Sequence, residues 1–217
     1  MKFHGQFDPP LDQLLYERYF AGRRNGVFLE CGALDGLLES TCRFFEESMG
    51  WSGINVEPVP FLFERLLQNR PRGLNLNVAL SDRPGTARFT HAVHPVHGWC
   101  FGNGSLQHTP SHRAQLEQGG CEFVEFDVRT LSFAELAGTL LPRGIFSCID
   151  LMVLDVEGHE MAVLRGMHGA RLLPRVLCVE SGITDPAALC LAAQELGYQY
   201  DIDLHNNSLF VLAPSAV

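Results

Sequence analysis

The 217-residue chain lacks the short patterns that lay a phosphate on a glycine-rich turn or expose a serine nucleophile. It contains no G-x-G-x-x-G, no P-loop and no G-x-S-x-G. Nicotinamide, nucleoside-triphosphatase and serine-hydrolase readings therefore have little support. Positive charge is scarce: 16 Lys and Arg stand against 25 Asp and Glu, a formal net charge of −9. So acidic a chain has no general attraction for nucleic acid or anionic membrane. No apolar run approaches the roughly 18 residues of a membrane span. The seven cysteines are odd in number, scattered and without a C-x-x-C pair. They read as reduced thiols in apolar runs, as at Cys31, Cys148 and Cys178, which suits a cytoplasmic protein. Met1 to Pro10 is polar, with no signal-peptide core. No internal repeat or low-complexity tract is present.

Hydrophobic residues make up 46 % of the chain, enough for a full core. The length suits a single α/β domain over 1–217, with a helical flank at 1–26 and the core at 27–217. Asp12 is placed to cap a helix running to about Ala21. Val27 to Leu29 reads as a buried strand that ends at Glu30. Gly32, Ala33 and Gly36 then allow a sharp turn and close approach of a ligand. Helical sequence runs from about Ser40 to Met49. A second apolar run closes at Glu57, before Pro58 and Pro60, and a helix carrying Leu62 and Leu66 follows. Leu74 to Leu80 alternates as one strand, and Thr86 to Val93 as its return. Residues 94–120 are rich in Gly and Pro and read as a long functional or mobile loop. Cys121 to Val128 alternates again, and Leu131 to Leu141 reads as a helix closed by Pro142. The strongest apolar run of the second half, Ile149 to Val156, precedes a helix with Met161 and Leu164. Val176 to Val179 is another buried strand, and Asp185 with Pro186 starts a helix. Tyr198 to Leu204 and Ser208 to Leu212 read as an antiparallel hairpin turning at Asn206-Asn207.

Apolar strands alternating with helices imply a mostly parallel sheet covered on both faces. Ligands of such sheets sit at the strands' carboxyl ends. Here those ends carry Glu30, Glu57, Asp155 and Glu180. An acid at the first turn repels phosphate and suits an amino group. Glu57 lies at the distance where an acid holds ribose hydroxyls. S-adenosylmethionine, with a ribose, an amino-acid tail and no phosphate, meets both requirements.

Phe28-Leu29-Glu30-Cys31-Gly32-Ala33-Leu34-Asp35-Gly36, then Asn55-Val56-Glu57-Pro58, Ala79-Leu80-Ser81 and Leu154-Asp155-Val156-Glu157-Gly158-His159-Glu160 together resemble the FkbM family of S-adenosylmethionine-dependent methyltransferases. Gly5-Gln6 with Asp12 resembles that family's segment before the first strand. The resemblance implies a Rossmann-like class I methyltransferase fold: a mostly parallel seven-stranded sheet in an order like 3-2-1-4-5-7-6, with helices on both faces and an antiparallel C-terminal hairpin. It implies that Gly32, Ala33 and Gly36 line the methionine part, with Glu30 and Asp35 at the amino end. Ser40 and Thr41 would reach the carboxylate, and Gln6 belongs to the same cofactor set. Glu57 would hold the ribose, with Pro58, Ala79, Leu80 and Ser81 around the adenine. Asp155 would sit under the methyl donor. The family more often has Asp where this chain has Glu30, and commonly has a lysine in the apolar run where this chain has Leu151-Met152-Val153.

Asp155, Glu157 and Glu160 are the candidate catalytic acids, accepting or steering the proton of an acceptor hydroxyl. The expected reaction is O-methylation of a small molecule, sugar or natural product, with no nucleic-acid or membrane partner and a homodimer left open. The alternative is a catalytically inactive methyltransferase fold that serves as a binding module. No metal site is expected: Asp155 and Glu180 could offer oxygens, but no third ligand is evident. His91, His94, His97, His108 and His112 read as solvated loop histidines, because Pro95 and Gly98 break any zinc spacing. A general base among His108 and His112 is the competing reading. Gly102 to Leu106 fits either a substrate gate or a plain surface loop.

Overall fold

The computed structural model describes residues 1–140 and 146–214. Helix α1, Leu11–Leu15, continues as a wider π turn to Phe20 and leads into β1, Val27–Cys31. There follow α2 (Arg43–Met49), β2 (Ser52–Val56), α3 (Pro60–Asn69), β3 (Leu74–Leu76), β4 (Ala79–Ser81) and β5 (Gly85–Val93). Next come β6 (Gly104–Ser105), α4 (Pro110–Gln118), β7 (Glu122–Ser132) and α5 (Phe133–Leu140). The chain ends with β8 (Leu151–Leu154), α6 (Glu160–Arg165), β9 (Val176–Glu180), α7 (Pro186–Glu195), β10 (Tyr198–Leu204) and β11 (Asn207–Leu212).

The main sheet has seven strands in the order β10-β11-β9-β8-β1-β2-β3. Counting only its own strands along the chain, this is 3-2-1-4-5-7-6 read from the β3 edge. All neighbours are parallel except at β11, which runs antiparallel to both β9 and β10. Successive side chains of each strand face opposite sides, and both sides are covered. Phe28, Leu151 and Val153 join Leu11, Leu15, Phe44, Phe45 and Met49 in one layer. Leu29, Ile54, Met152 and Leu154 join Phe133, Leu136, Val163, Leu164 and Leu189 in the other. Burying a side chain such as Phe28 or Leu29 contributes about 1.5–3 kcal/mol.

A second, four-stranded sheet has the order β4-β7-β5-β6. It arises because the expected single strand over 74–80 divides. Leu74–Leu76 pairs with β2, while Ala79–Ser81 turns away and pairs with β7. Asn77 marks the break, its side chain donating to the carbonyls of Glu57 and Pro58. The expected long loop over 94–120 contains β6 and α4, the latter capped by the Thr109 hydroxyl and started by Pro110. Asp12 does not cap α1; it is fully buried and accepts the backbone N–H of His4 at 2.7 Å. The hairpin turns one residue earlier than expected, at His205-Asn206, where His205 has φ +56°. Helix α5 is described to Leu140, so Pro142 lies outside the described residues.

Candidate functional site

Chain connections leave in opposite directions from β1 and β8, which are neighbours, so a crevice opens beyond their carboxyl ends. Its floor is Gly32. That residue has φ +86°, and a Cβ there would lie 2.1 Å from the carbonyl oxygen of Asp155. Only glycine lets the two strand ends approach so closely. The N–H groups of Gly32 and Ala33 both donate to the carbonyl of Val56 at 3.1 Å, tying the turn to β2.

The crevice encloses about 800 Å³, counting its open mouth, and runs from Ala79 and Leu80 past Glu57 and Gly32 to Asp155 and Glu157. A smaller hollow of about 540 Å³ adjoins it and reaches Glu30, Ser40 and Thr41. The two share Gln6, Cys31, Gly32, Leu34, Glu39 and Asp155. The Gln6 amide donates to the Glu39 carboxylate across their boundary.

Glu57 is almost wholly buried, and its carboxylate accepts the N–H groups of Leu34 at 2.9 Å and Val59 at 2.8 Å. Burial drives its pKa up to about 8, against the pull of those two donors. Glu30 is also buried, but it is already engaged. It accepts the Ser40 hydroxyl and the Cys42 N–H, with the Arg70 guanidinium 3.7 Å away. Burial raises its pKa and Arg70 opposes the rise.

Three carboxylates meet at the far end. One oxygen from each of Asp155, Glu157 and Glu180 lies within 4.8 Å of the others. Burial is the main cause that raises all three pKa values, and repulsion from neighbouring acids adds to it: Glu160 acts on Asp155, and Asp155 acts on both Glu157 and Glu180. The triad supplies the third oxygen ligand that the strand ends alone did not offer; it is a hard-oxygen arrangement of the kind divalent cations accept. Glu157 itself stands at φ +54°, strained backbone for a side-chain-bearing residue. Glu160 holds the strain in place: its carboxylate accepts the N–H groups of Val156 and Gly158, each at 3.1 Å, and the Thr184 hydroxyl at 3.0 Å.

The second sheet supplies the opposite wall, with Phe89, His91 and the Phe101–Gly104 turn. His91 is buried, stacked on Trp99 at 4.9 Å, and its Nε2 lies 3.0 Å from the Trp99 carbonyl. His112 is also buried, on α4, with Nε2 2.9 Å from Asn103 Oδ1 and 3.7 Å from Glu157. Burial lowers the pKa of both histidines, and brings His108 to about 4. These three histidines are therefore packed, not solvated as expected from the loop-like sequence.

Residues 30–200 match the family model described as the methyltransferase FkbM domain. The chain belongs to the FkbM methyltransferase family. A search of curated proteins gives no match. The solved methyltransferase FkbM from Methylobacillus flagellatus KT is similar in fold, with TM-score 0.51 and 14 % identity over 89 % of this chain. This chain covers 46 % of that structure's length. A second structure, the METTL16 MTase domain, aligns with TM-score 0.45 and 8 % identity over 95 % of this chain and 68 % of its own. Among the described residues no helix is long and apolar enough to cross a membrane.

In this FkbM domain, Gln6, Gly32, Glu57, Pro58, Ala79, Leu80, Asp155 and Glu157 face the larger crevice, and Glu30, Ser40 and Thr41 the smaller hollow. Five other residues named from sequence lie behind those walls. Ala33 is buried, Asp35 accepts the N–H groups of Leu37 and Leu38, and Gly36 backs onto Arg70 and Leu66. Ser81 lies 3.0 Å from Nε2 of His159, and Glu160 braces the strained turn. Sequence reasoning missed Glu39, His91 and His159 as wall residues of the FkbM crevice, whereas Asn103 lies in the Gly102 to Leu106 stretch read as a gate or a plain loop. Only His159 carried a signal, its place inside the acidic segment.

Proposed function

We propose that this domain transfers a methyl group from S-adenosylmethionine to a hydroxyl oxygen of a small molecule, a sugar or a natural product. The observation that carries the reading is Glu57, a buried carboxylate on the wall of a crevice that continues past Gly32 to Asp155. The crevice suits that cofactor in charge, because no Lys or Arg stands among the described lining residues to receive a phosphate.

Glu57 would hold the ribose hydroxyls, with Pro58, Ala79 and Leu80 around the adenine. Gly32 would admit the methionine part, whose polar end would lie toward Gln6, Glu30, Ser40 and Thr41. When bound, S-adenosylmethionine supplies an electrophilic methyl on a positively charged sulfur. Asp155 and Glu157 face the region where an acceptor oxygen would align with that methyl, and alignment is the larger part of such catalysis. Glu157 would accept the proton that the acceptor hydroxyl gives up when the cofactor's methyl passes from sulfur to that oxygen, the sulfur leaving as a neutral thioether. A nearby positive charge favours the ionised form of Glu157 over the neutral form that burial favours. Carboxylates at Glu39, Asp155 and Glu157 disfavour an anionic acceptor and suit an uncharged or cationic one.

Titration calorimetry with S-adenosylmethionine and, separately, with NADH tests the assignment. One saturable site for the first and none for the second is expected. Heat with NADH alone would overturn it.

A further inference from the structure

His91 stands in the crevice wall and is 1 % exposed. Its Nε2 lies 3.0 Å from the Trp99 carbonyl, which can only accept, so the ring hydrogen is on Nε2. Burial lowers the pKa of the ring and keeps it neutral. Nδ1 is left as a bare acceptor, buried and without a partner. Folded proteins pair nearly all such atoms, because a dry, unpaired acceptor has lost its water and gained nothing. Here the neighbouring strand keeps the place free of side chains. Gly104 lies opposite His91 in the β5–β6 pair, and a Cβ on it would come within 2.9 Å of Nδ1 and 2.7 Å of the Phe89 ring. The Gly104 backbone is not left-handed, so space and not φ calls for glycine. The ring is held in this pose by its stack on Trp99 at 4.9 Å, and Trp99 in turn reaches Phe61 of α3 at 6.2 Å.

We propose that Nδ1 of His91 accepts a hydrogen from the 6-amino group of the adenine, and so makes the crevice select an adenosyl ligand over its deaminated, inosyl counterpart. The proposal rests on the S-adenosylmethionine reading, since it concerns how that nucleoside is recognised.

Position favours the base over any other donor. Val59 and Leu62 come directly after Glu57, the acid assigned to the ribose. They form one apolar cluster with Ala79 and Phe89, against which Trp99 and Leu106 pack. His91 joins this end of the wall through Phe89, on the same face of β5, and through Trp99. The other hydrogen on offer, that of an acceptor hydroxyl, belongs at the acidic end beside Asp155 and Glu157. Adenine has apolar faces and a polar edge, so an apolar slot with one acceptor in its wall suits it. Its amino hydrogens are donors, and Nδ1 is an acceptor. The inosyl base carries a carbonyl oxygen in place of the amino group and would set lone pair against lone pair. Sites that leave a buried polar group unpaired discriminate strongly against such analogues.

The test needs no acceptor molecule. Titration calorimetry compares S-adenosylhomocysteine with S-inosylhomocysteine on wild type, His91→Asn and His91→Phe. Asparagine sets an acceptor oxygen near the Nδ1 position; phenylalanine keeps a ring on Trp99 without one. Wild type should bind the adenosyl ligand roughly 10- to 100-fold more tightly than the inosyl one. His91→Asn should keep most of that ratio, and His91→Phe should lose most of it. The same ratio in wild type and His91→Phe, or the same loss in both variants, would overturn the proposal and leave the cofactor reading standing. No binding of either ligand by wild type would overturn both. Nitrogen-15 spectra give a second decision that needs no variant to fold. The His91 hydrogen should be on Nε2, and the Nδ1 signal should move to lower shift with S-adenosylhomocysteine, and by less with S-inosylhomocysteine. A hydrogen on Nδ1, or equal movement with the two ligands, would contradict the assignment.

Discussion

The guanidinium of Arg70 lies 3.7 Å from the carboxylate of Glu30 and 2.5 Å from that of Glu46, and all three side chains are buried. Glu30 is therefore anchored from behind before any ligand arrives. Removing the cation leaves Glu30 buried without a counter-ion and Glu46 with only the exposed Arg72, 3.8 Å away, which costs about 3–5 kcal/mol. Arg70→Met should lower the denaturation midpoint accordingly, and Arg70→Met combined with Glu46→Gln should recover part of the loss. Urea denaturation of the single and double variants measures both.

The acids of the crevice give a pH dependence whose sign is fixed. Glu57 titrates near 4.5 when unfolded and is pushed up to about 8 by burial. Between those values the folded protein holds more protons than the unfolded chain, so stability falls as pH rises. Asp155, Glu157 and Glu180 shift in the same direction. Buried His108 and His112 act oppositely, weakening the fold as pH falls below 6.5. The melting temperature of ligand-free protein should therefore decline from about pH 6.5 to pH 8. Glu57→Gln should flatten that decline, as thermal melts across the range will register.

Gly32→Ala places a methyl group 2.1 Å from the Asp155 carbonyl, in a backbone conformation that disfavours any side chain. The expected cost is at least 1–3 kcal/mol, roughly that of a strained position. Binding of S-adenosylmethionine should weaken more than the change in melting temperature alone would suggest. Gly169→Ala, where a Cβ meets nothing within 4 Å at φ +77°, is the matched control for backbone strain without a clash.

Glu160→Ala should release the turn that carries Glu157. It frees the N–H groups of Val156 and Gly158 and the Thr184 hydroxyl, for about 1–3 kcal/mol of lost stability. Amide hydrogen exchange should quicken at Val156 and Gly158 while Leu29 and Met152 stay protected.

Much of the main sheet was legible because its strands are short apolar runs ending in acids, and periodicity reports burial directly. The order around β1 and β8 is what the family resemblance implied, since parallel strands joined by helices alone leave it open. The second sheet was hidden because Leu74 to Leu80 has one uninterrupted alternation. Nothing local in Asn77 announces that the chain changes sheets there. Helix α4 was obscured by the Gly and Pro around it, although Thr109 and Pro110 are an ordinary cap and first turn. In the site, Glu57 and Asp155 stood out as acids closing apolar runs. Glu30 looked equally exposed to a ligand, since its partner Arg70 lies 40 residues away in sequence. His91 comes to the crevice only through the second sheet, so no spacing in the chain could have named it.

Glu57 bears the weight of the functional account, and its test is the affinity of S-adenosylmethionine for wild type and Glu57→Ala. Following the methyl signal of carbon-13-labelled cofactor by NMR, the account predicts saturable binding to wild type and a loss of about 1–3 kcal/mol, roughly 5- to 150-fold, in the variant. Equal affinity in the two proteins, with both folded, would place the nucleoside elsewhere and contradict it.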